Sequence, residues 1–349
     1  MNVVIVGSDQ DIHVSAVKWG LKEMGTNVVT WPSIGVSESS LSIDISKKEM
    51  LIANNKISTL DTVWFRRLFN DPQIHPELHS DDIRFVTQES KLLFKSALSW
   101  LNRTVKFCAN DYHTHNQVEN KSYQLMLASE SNLMVPSTII TNQPKEALQF
   151  IEKNGSVIHK TAYPYKWENN SASSRAIASL ITKESIQDEF SITSCPSILQ
   201  QYIKKSADIR VFVLGSYICA VKISSRLGDE VVDWRPLSLG GSLDYSLIEM
   251  PPIVTTALFE FMKRTGLVMG VFDFSVDHND LWWFLEVNTQ GQWLFMEDWI
   301  PGLNLLGKFC SFLIEQNPNY DGRVIDQHIN IQNYEKEILS KDKIVANQP

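Results

Sequence analysis

The chain has 349 residues, of which 43 % are hydrophobic and 21 % charged, a composition typical of a globular protein of about two or three domains. Forty acidic and 32 basic residues give a net charge of −8, which disfavours nucleic acid as a partner. Four cysteines without a CxxC pair disfavour a zinc finger or a disulfide framework and favour the cytoplasm. No apolar run reaches about 18 residues, so we expect no membrane span.

Strands and helices alternate along residues 1–113, and this alternation predicts a parallel sheet with crossover helices. The apolar run at 3–6 ends at Gly7, where a single glycine is too few for the GxGxxG turn of dinucleotide-binding proteins. A helix at 15–24 precedes a strand at 27–31. Between strands at 62–65 and 105–109, helical spacing over 82–100 connects five apolar residues: Phe85, Leu92, Leu93, Leu98 and Trp100.

The composition becomes polar at 110–120, which predicts a linker followed by a helix over 117–129. Pro144 begins a helix that ends at Gly155, and the polar residues 161–175 after the next strand are typical of a mobile loop. A second helix, with its apolar stripe from Ile253 to Met262, ends at Gly266. β-rich segments lie around it, at 197–203, 209–214, 217–223, 268–276 and 281–287.

Acidic and amide side chains gather in the last two β-rich segments. Glu286 and Asn288 are two residues apart and therefore share one face of their strand. Asp273 lies on the preceding strand of a predicted hairpin and can project to that face. Because Mg²⁺ prefers hard oxygen ligands and completes its sphere with water and phosphate, these residues predict a magnesium site. A carboxylate among Trp283, Phe284 and Val287 is costly unless it has a partner.

Four cations lie in or beside predicted strands and helices and not in a surface charge run: Lys121, Lys160, Lys222 and Arg210. Together with the predicted magnesium site they describe a site for a nucleoside triphosphate. The run LQQYIKKSADIRVFVL leads from a strand through a turn whose backbone can meet an adenine edge. Its Asp208 and Arg210 lie on one side of the next strand.

In its ordered motifs the chain resembles the ATP-grasp superfamily, and within it the enzymes that crosslink ribosomal peptides into microviridins and related graspetides. The resemblance covers most of residues 1–315. The matching runs are VWFRR (63–67), NKSYQL (120–125), VIHK (157–160), LQQYIKKSADIRVFVLG (199–215), AVKISS (220–225), VDWRPL (232–237) and GVFDFSV to FLEVNTQGQWLFME (270–297).

This resemblance implies an α/β and α+β chain with an ATP-grasp fold. It divides into a Rossmann-like N-terminal domain (1–113), a central subdomain (114–204), a C-terminal subdomain with the magnesium site (205–320) and a peripheral helix or tail (321–349). Lys121 and Lys160 would contact ATP phosphates, with Lys160, Lys222 and Arg210 as the catalytic cations. The adenine hinge would comprise Gln200, Gln201, Tyr202 and Ile203, and Asp273, Glu286 and Asn288 would hold Mg²⁺. Thr289 replaces a proline common in relatives, which predicts a looser turn.

The implied reaction is ATP-dependent activation of an Asp or Glu side chain of a ribosomal precursor peptide, followed by an intramolecular ester or amide bond. The cofactors would be ATP and Mg²⁺, and relatives suggest a homodimer. Residues that could bind the peptide are Arg66, Arg67, Asp208, Arg210, Asp233 and Arg235. A structural ion pair is an equal alternative for Arg66 and Arg67. Two other functions remain open, namely a ligase that joins a free amino acid to a carboxylate and a non-catalytic nucleotide-binding module.

Overall fold

The computed structural model describes residues 1–35, 39–57, 61–68, 71–162, 166–169, 172–175, 178–185, 190–226, 234 and 241–346. Within these ranges no helix combines the length and the apolar composition that crossing a bilayer requires. Most strands gather in three sheets, one each in the N-terminal, central and C-terminal parts of the chain.

A parallel sheet organises the N-terminal part, as the alternating sequence pattern predicts. Its order is β2-β1-β6-β7, and β3, β4 and β5 form a small antiparallel sheet beside it. Asp11 caps the first helix by accepting a hydrogen bond from the His13 N–H. The elements are β1 (Asn2–Val6), α1 (Ile12–Glu23), β2 (Asn27–Thr30), β3 (Leu41–Asp44), β4 (Glu49–Ile52), β5 (Asn55–Lys56), β6 (Thr62–Phe65), α2 (Ile83–Thr104) and β7 (Phe107–Ala109).

The helix predicted over 82–100 is confirmed as α2, but most of its five apolar residues at helical spacing are exposed. Leu98 is buried, but Phe85, Leu92 and Leu93 are 67 %, 62 % and 54 % exposed. Only the second half of this 22-residue helix lies against the sheet, where it buries Phe94, Ala97, Leu98 and Leu101. Helical spacing identifies the helix but cannot tell which part of its length is covered.

The polar segment at 110–120 contains a helix, and its role as a linker between domains remains a prediction. It forms α3 (Tyr112–Val118), capped by Asp111, and it is followed by α4 (Lys121–Glu130), capped by Asn120. Both cap side chains accept hydrogen bonds from the first-turn N–H groups, which is the strongest local signal for a helix start. Polar composition therefore concealed two capped helices.

The central part carries an antiparallel sheet of order β12-β9-β13-β8 with its own small core of Ala147, Ile151, Val157, Ile192 and Leu199. Two further strands pair as a hairpin where the sequence predicts a mobile loop. The elements are β8 (Thr138–Thr141), α5 (Pro144–Asn154), β9 (Val157–Lys160), β10 (Lys166–Asn169), β11 (Ala172–Arg175), β12 (Ser179–Ile181), α6 (Phe190–Thr193) and β13 (Ser197–Gln201).

The C-terminal part is built on an antiparallel sheet of order β16-β15-β14-β17-β18. The predicted hairpin is confirmed by the pairing of its last two strands. The predicted helix before it buries Phe261 and ends at Gly266, although Ile253 is exposed. The elements are β14 (Lys205–Leu214), β15 (Tyr217–Ser225), β16 (Leu243–Ile248), α7 (Pro252–Thr265), β17 (Met269–Asp277), β18 (Trp282–Asn288), α8 (Phe295–Trp299), α9 (Leu305–Glu315) and α10 (Ile331–Ala346).

The two ends of the chain share one hydrophobic core. Phe309 of α9 lies at its centre and contacts Trp64 of β6, Phe212 of β14 and Trp293 with ring centroids 4.8, 6.5 and 4.9 Å away. Helix α10, where the sequence predicts a peripheral helix or tail, packs on α1 through Tyr334. The N-terminal and C-terminal sheets are therefore joined by a common core, whereas the central sheet has a separate one.

We expect Phe309→Ala to lower the free energy of unfolding by about 3–5 kcal/mol, because it removes a fully buried ring from this shared core. The matched control is Phe85→Ala, whose exposed ring should change stability by less than about 0.5 kcal/mol. Urea unfolding followed by circular dichroism measures both. Equal losses for the two variants would contradict the assignment of the core.

Candidate active site

Three charged side chains form a row across neighbouring strands of the C-terminal sheet. Arg210 on β14 lies opposite Asp273 on β17, and Asp273 lies opposite Glu286 on β18. Directly opposed residues of antiparallel strands project from the same face, with Cβ atoms about 5 Å apart. Asn288 follows two residues after Glu286 and opposes Val271, so it shares that face. The predicted cluster is therefore assembled by strand register.

Ion pairs organise the row. The Arg210 guanidinium donates from Nη1 to both Asp273 oxygens at 2.7 and 2.8 Å, and from Nη2 to the Gln292 carbonyl at 2.8 Å. Lys121 Nζ donates to Glu286 Oε2 at 2.6 Å, and Asn288 Nδ2 lies 3.5 Å from Asp273 Oδ2. Both carboxylates thus lie beside a cation, which offsets the cost of removing them from water.

Strand β18 lies at the edge of its sheet, and helix α4 and the residues after it cover that edge. Gln124 donates to the Val287 carbonyl at 3.5 Å and accepts from the Val287 N–H at 2.8 Å. The Phe284 N–H donates to the Met134 carbonyl at 2.8 Å. These bonds satisfy an otherwise open strand edge and place Lys121, the first residue of α4, beside Glu286. The sequence offers no signal for the role of Gln124.

Asp208 lies two residues before Arg210 on β14, in a second polar row. Its carboxylate accepts from Lys205 Nζ at 2.6 Å and from Ser275 Oγ at 3.0 Å, and it is largely buried. Burial raises the pKa of Asp208 above its usual value, against the opposing effect of Lys205. With its partners inside the protein, Asp208 stabilises the sheet next to Arg210, and its predicted contact with a peptide remains a prediction.

The segment between the central and C-terminal sheets borders a cavity of about 270 Å³. Gln201, Tyr202 and Ile203, three of the four predicted hinge residues, lie on its wall. The facing wall is made by the β17–β18 turn and Trp283. Gln200 differs: it is buried in the central sheet, where its Nε2 donates to Thr138 Oγ1 at 2.9 Å.

The remaining predicted cations have different positions. Lys160 ends β9 of the central sheet, opposite Ile198 of β13. Lys222 of β15 lies opposite Ile209, so it projects from the face that Arg210 does not use. The structure therefore does not bring Lys222 together with Arg210, because neighbouring residues on a strand alternate between faces, and the catalytic role of Lys222 remains a prediction.

The two arginines after β6 are unequal. Arg66 is 1 % exposed; it donates from Nη1 to the Gly291 carbonyl at 3.0 Å and pairs through Nη2 with Asp11 at 3.3 Å. It therefore holds the loop after β18 and forms a structural ion pair, which is one of its two predicted roles, while a contact with the peptide remains a prediction. The Arg67 side chain is 55 % exposed and pairs with the same carboxylate at 2.9 Å.

Asp11 and His13 were missed by the sequence analysis. His13 Nε2 accepts from the Trp293 and Leu294 N–H groups at 3.0 and 3.1 Å. Burial would raise the pKa of Asp11, but its hydrogen bond from His13 and the charges of Arg66 and Arg67 hold that pKa well below the usual range. The only local signal was the position of Asp11 before a helix, which predicts a cap and not an ion pair.

Two predicted peptide-binding residues, Asp233 and Arg235, lie outside the described residues. So do parts of the predicted loop at 161–175, namely residues 163–165 and 170–171. Trp234 between the two predicted residues is described, and its ring lies 5.6 Å from that of Trp299.

The donor set at the row fits a magnesium ion. Asp273, Glu286 and Asn288 provide two carboxylates and an amide oxygen on one face of the sheet. Within the described ranges no group of three or more His, Cys, Asp or Glu side chains could hold a metal. The Asn288 oxygen is therefore needed as the third protein ligand, and water or phosphate oxygens would complete the sphere.

No protein-family model and no curated protein sequence matches the chain. Solved structures match it closely in shape, and they show that the chain has the predicted ATP-grasp fold. One is the Chryseobacterium gregarium RiPP-associated ATP-grasp ligase in complex with ADP and a leader and core peptide. Its TM-score is 0.81 at 20 % identity, over 93 % of this chain and 99 % of that one.

Two further structures have the same fold. The macrocyclase MdnC from Microcystis aeruginosa MRC, bound with precursor peptide MdnA, has a TM-score of 0.76 at 19 % identity and covers 90 % of this chain and 100 % of its own. D-alanyl-alanine synthetase A from Vibrio cholerae has a TM-score of 0.58 at 13 % identity and covers 91 % and 97 % of the two chains.

Burial lowers the pKa of His13 to about 4, whereas the unfolded residue titrates near about 6.5. Between these values the unfolded state binds more protons, so stability should fall as the pH decreases through this window. His13→Gln keeps an acceptor but does not titrate. We expect the wild type to lose about 3 kcal/mol more than His13→Gln between pH 7 and pH 4. Urea unfolding at both pH values measures this, and parallel losses would contradict it.

Proposed function

We propose that this chain is an ATP-dependent ligase that activates Asp or Glu side chains of a ribosomal precursor peptide and crosslinks them intramolecularly. The observation that carries the proposal is the row of Arg210, Asp273 and Glu286, with Asn288 and Lys121 beside it, in an ATP-grasp fold. Oxygen donors and cations converge there on one face, as the transfer of a phosphoryl group requires. The neighbours that bind precursor or leader and core peptides support the substrate class.

The proposed reaction has two steps. A peptide carboxylate oxygen attacks the γ-phosphorus of ATP, the bond to the β-phosphate oxygen breaks, and ADP leaves. A hydroxyl or amine of the same peptide then attacks the acyl carbon, phosphate leaves with the activated oxygen, and the nucleophile loses its proton. The peptide thus loses the elements of one water for each ester or amide formed.

The residues of the row have distinct roles in this proposal. Arg210 is placed to stabilise negative charge on the transferring phosphoryl group, because its planar fork makes several directed bonds at once. Lys121 and Lys160 would bind phosphate oxygens as point charges. Asp273, Glu286 and Asn288 would hold Mg²⁺, which neutralises phosphate charge when bound. Adenine would occupy the cavity beside Gln201, Tyr202 and Ile203.

For the peptide, Arg67 offers an exposed cationic side chain, and its N–H donates to Gln290 in the loop after β18, so it would attract an acidic segment. The peptide contacts of Asp233 and Arg235 remain predictions.

We further propose a cytoplasmic homodimer. All four cysteines lie within the described residues and are free, which supports a reducing compartment. The exposed apolar side chains of α2 support a contact between subunits. Sedimentation velocity of the purified chain, compared with Leu92→Glu, tests the dimer.

A second function shares the fold. D-alanyl-alanine synthetase A carries it too, which favours a ligase that joins a free amino acid to a carboxylate as the alternative. Both reactions need ATP and an acyl phosphate. They differ in mass balance, because the alternative adds a residue to its acceptor whereas a crosslink removes water. A non-catalytic nucleotide-binding module would produce no ADP at all.

Intact-mass spectrometry tests the proposal directly. A short precursor peptide with acidic side chains and hydroxyl or amine nucleophiles is incubated with enzyme, ATP and Mg²⁺, and loss of whole waters that requires ATP is the expected result. Asn288→Ala should abolish this change while the circular dichroism spectrum is kept, and Asn154→Ala on α5 is the matched control with full activity. A mass gain with free amino acids would support the alternative ligase. An unchanged peptide without ADP production would exclude both ligases.

We expect Arg210→Lys to lower kcat by about a hundredfold or more, because one amine cannot replace a fork that bonds Asp273 and the Gln292 carbonyl together. Arg226→Lys is the control, since Arg226 pairs with Asp244 at the exposed end of β15 and should tolerate the change. Coupled assays of ADP release measure both. A rate in Arg210→Lys close to that of the control would show that Arg210 is structural.

A further inference from the structure

We propose that Thr289, held by Asn110, His115 and Glu119, positions Asn288 for metal binding. This inference rests on the proposed function, because it assumes that Asn288 is a metal ligand. It concerns the segment at 110–119, which the sequence analysis takes for a linker and to which the proposed reaction assigns no role.

Every polar atom of Thr289 is hydrogen-bonded from that segment. The hydroxyl donates to Glu119 Oε1 at 2.7 Å, and the Thr289 N–H donates to the same oxygen at 3.3 Å. The Thr289 carbonyl accepts from Asn110 Nδ2 at 3.3 Å. Because Thr289 is buried, water does not make these bonds instead. The turn after Asn288 is therefore held by hydrogen bonds from one segment, and the looser turn predicted for a threonine at this position remains a prediction.

His115 adds a further bond, and its direction follows from the geometry. The single hydroxyl proton of Thr289 is committed to Glu119, so the close contact with His115 Nδ1 requires the ring nitrogen to donate. His115 is buried within α3, and burial lowers its pKa, which favours the neutral ring. The bond then requires the tautomer that carries its proton on Nδ1. The threonine hydroxyl thus accepts from His115 and donates to Glu119.

Asn110 also binds β17, the other strand that carries a proposed metal ligand. Its Oδ1 accepts from the Val268 and Met269 N–H groups at 2.8 and 3.0 Å, and its Nδ2 donates to the Met269 carbonyl at 3.0 Å. One buried side chain therefore binds the start of β17, which carries Asp273, and the residue after β18, which carries Asn288. Bonds that orient ligands in this way commonly change metal affinity by about 10–100-fold when removed.

The test measures Mg²⁺ affinity and not turnover. Calorimetric titration of Mg²⁺ into enzyme saturated with ADP should show affinity about tenfold weaker in Thr289→Val, while Thr289→Ser, which keeps the hydroxyl, stays within about twofold. Thr62→Val is the matched control. It also deletes a buried threonine hydroxyl, which donates to the Leu313 carbonyl at 2.9 Å, but it lies outside this network. Glu119→Ala should weaken Mg²⁺ binding too, and this variant tests the positioning role if Thr289→Val does not fold.

Two results would overturn the inference. The first is an unchanged Mg²⁺ affinity in a folded Thr289→Val, or in Glu119→Ala if Thr289→Val does not fold. The second is an equal loss of Mg²⁺ affinity in Thr62→Val, which would reveal general destabilisation. Failure of the metal assignment is distinguishable, because wild-type enzyme would then bind no Mg²⁺ with ADP, and failure of the crosslinking function appears separately as an unchanged peptide mass. If wild type binds Mg²⁺ and Thr289→Val binds it equally well, the metal site stands and only the positioning role is lost.

Discussion

The site depends on one interaction, the pairing of the Arg210 fork with Asp273. It joins β14 and β17 of the C-terminal sheet. Arg210 also donates to the Gln292 carbonyl and so holds the loop that follows β18. The pair is largely shielded from water, so separating its members would leave a charge without compensation. Because Asp273 also lies opposite Glu286, the same ion pair fixes the positions of the oxygen donors on β17 and β18.

The loop from Thr289 to Leu294 shows how distant parts of the chain serve this row. Arg66, His13 and Arg67 of the N-terminal part bind its backbone and the Gln290 side chain, while the segment at 110–119 binds Thr289. Buried polar and charged groups contribute little net stability, but they accept few alternative arrangements. These groups hold the loop in one conformation. The shared core around Phe309 keeps the N-terminal and C-terminal parts of the chain in position to bind the loop.

The sequence interpretation missed contacts that only folding makes. Helical spacing identified α2, but it did not show that Phe85 and Leu92 stay exposed. Polar composition predicted a linker at 110–120, but its polar side chains cap helices and bind Thr289. The caps are local and were hidden by the polar composition, whereas the contacts with Thr289 join segments far apart in the sequence, where local patterns carry no information.

The sequence by itself determined the N-terminal parallel sheet, the later β-rich segments with their terminal hairpin, and the group Arg210, Asp273, Glu286 and Asn288. These follow from periodicity and from residue spacing along single strands, whereas the ATP-grasp resemblance follows from the ordered motifs. Only the tertiary structure decided that Lys222 faces away from Arg210, that Arg66 is buried and that Asp11, His13, Gln124 and Thr289 support the site. Strand register and long-range hydrogen bonds decide these positions, because both arise between segments that only folding brings together.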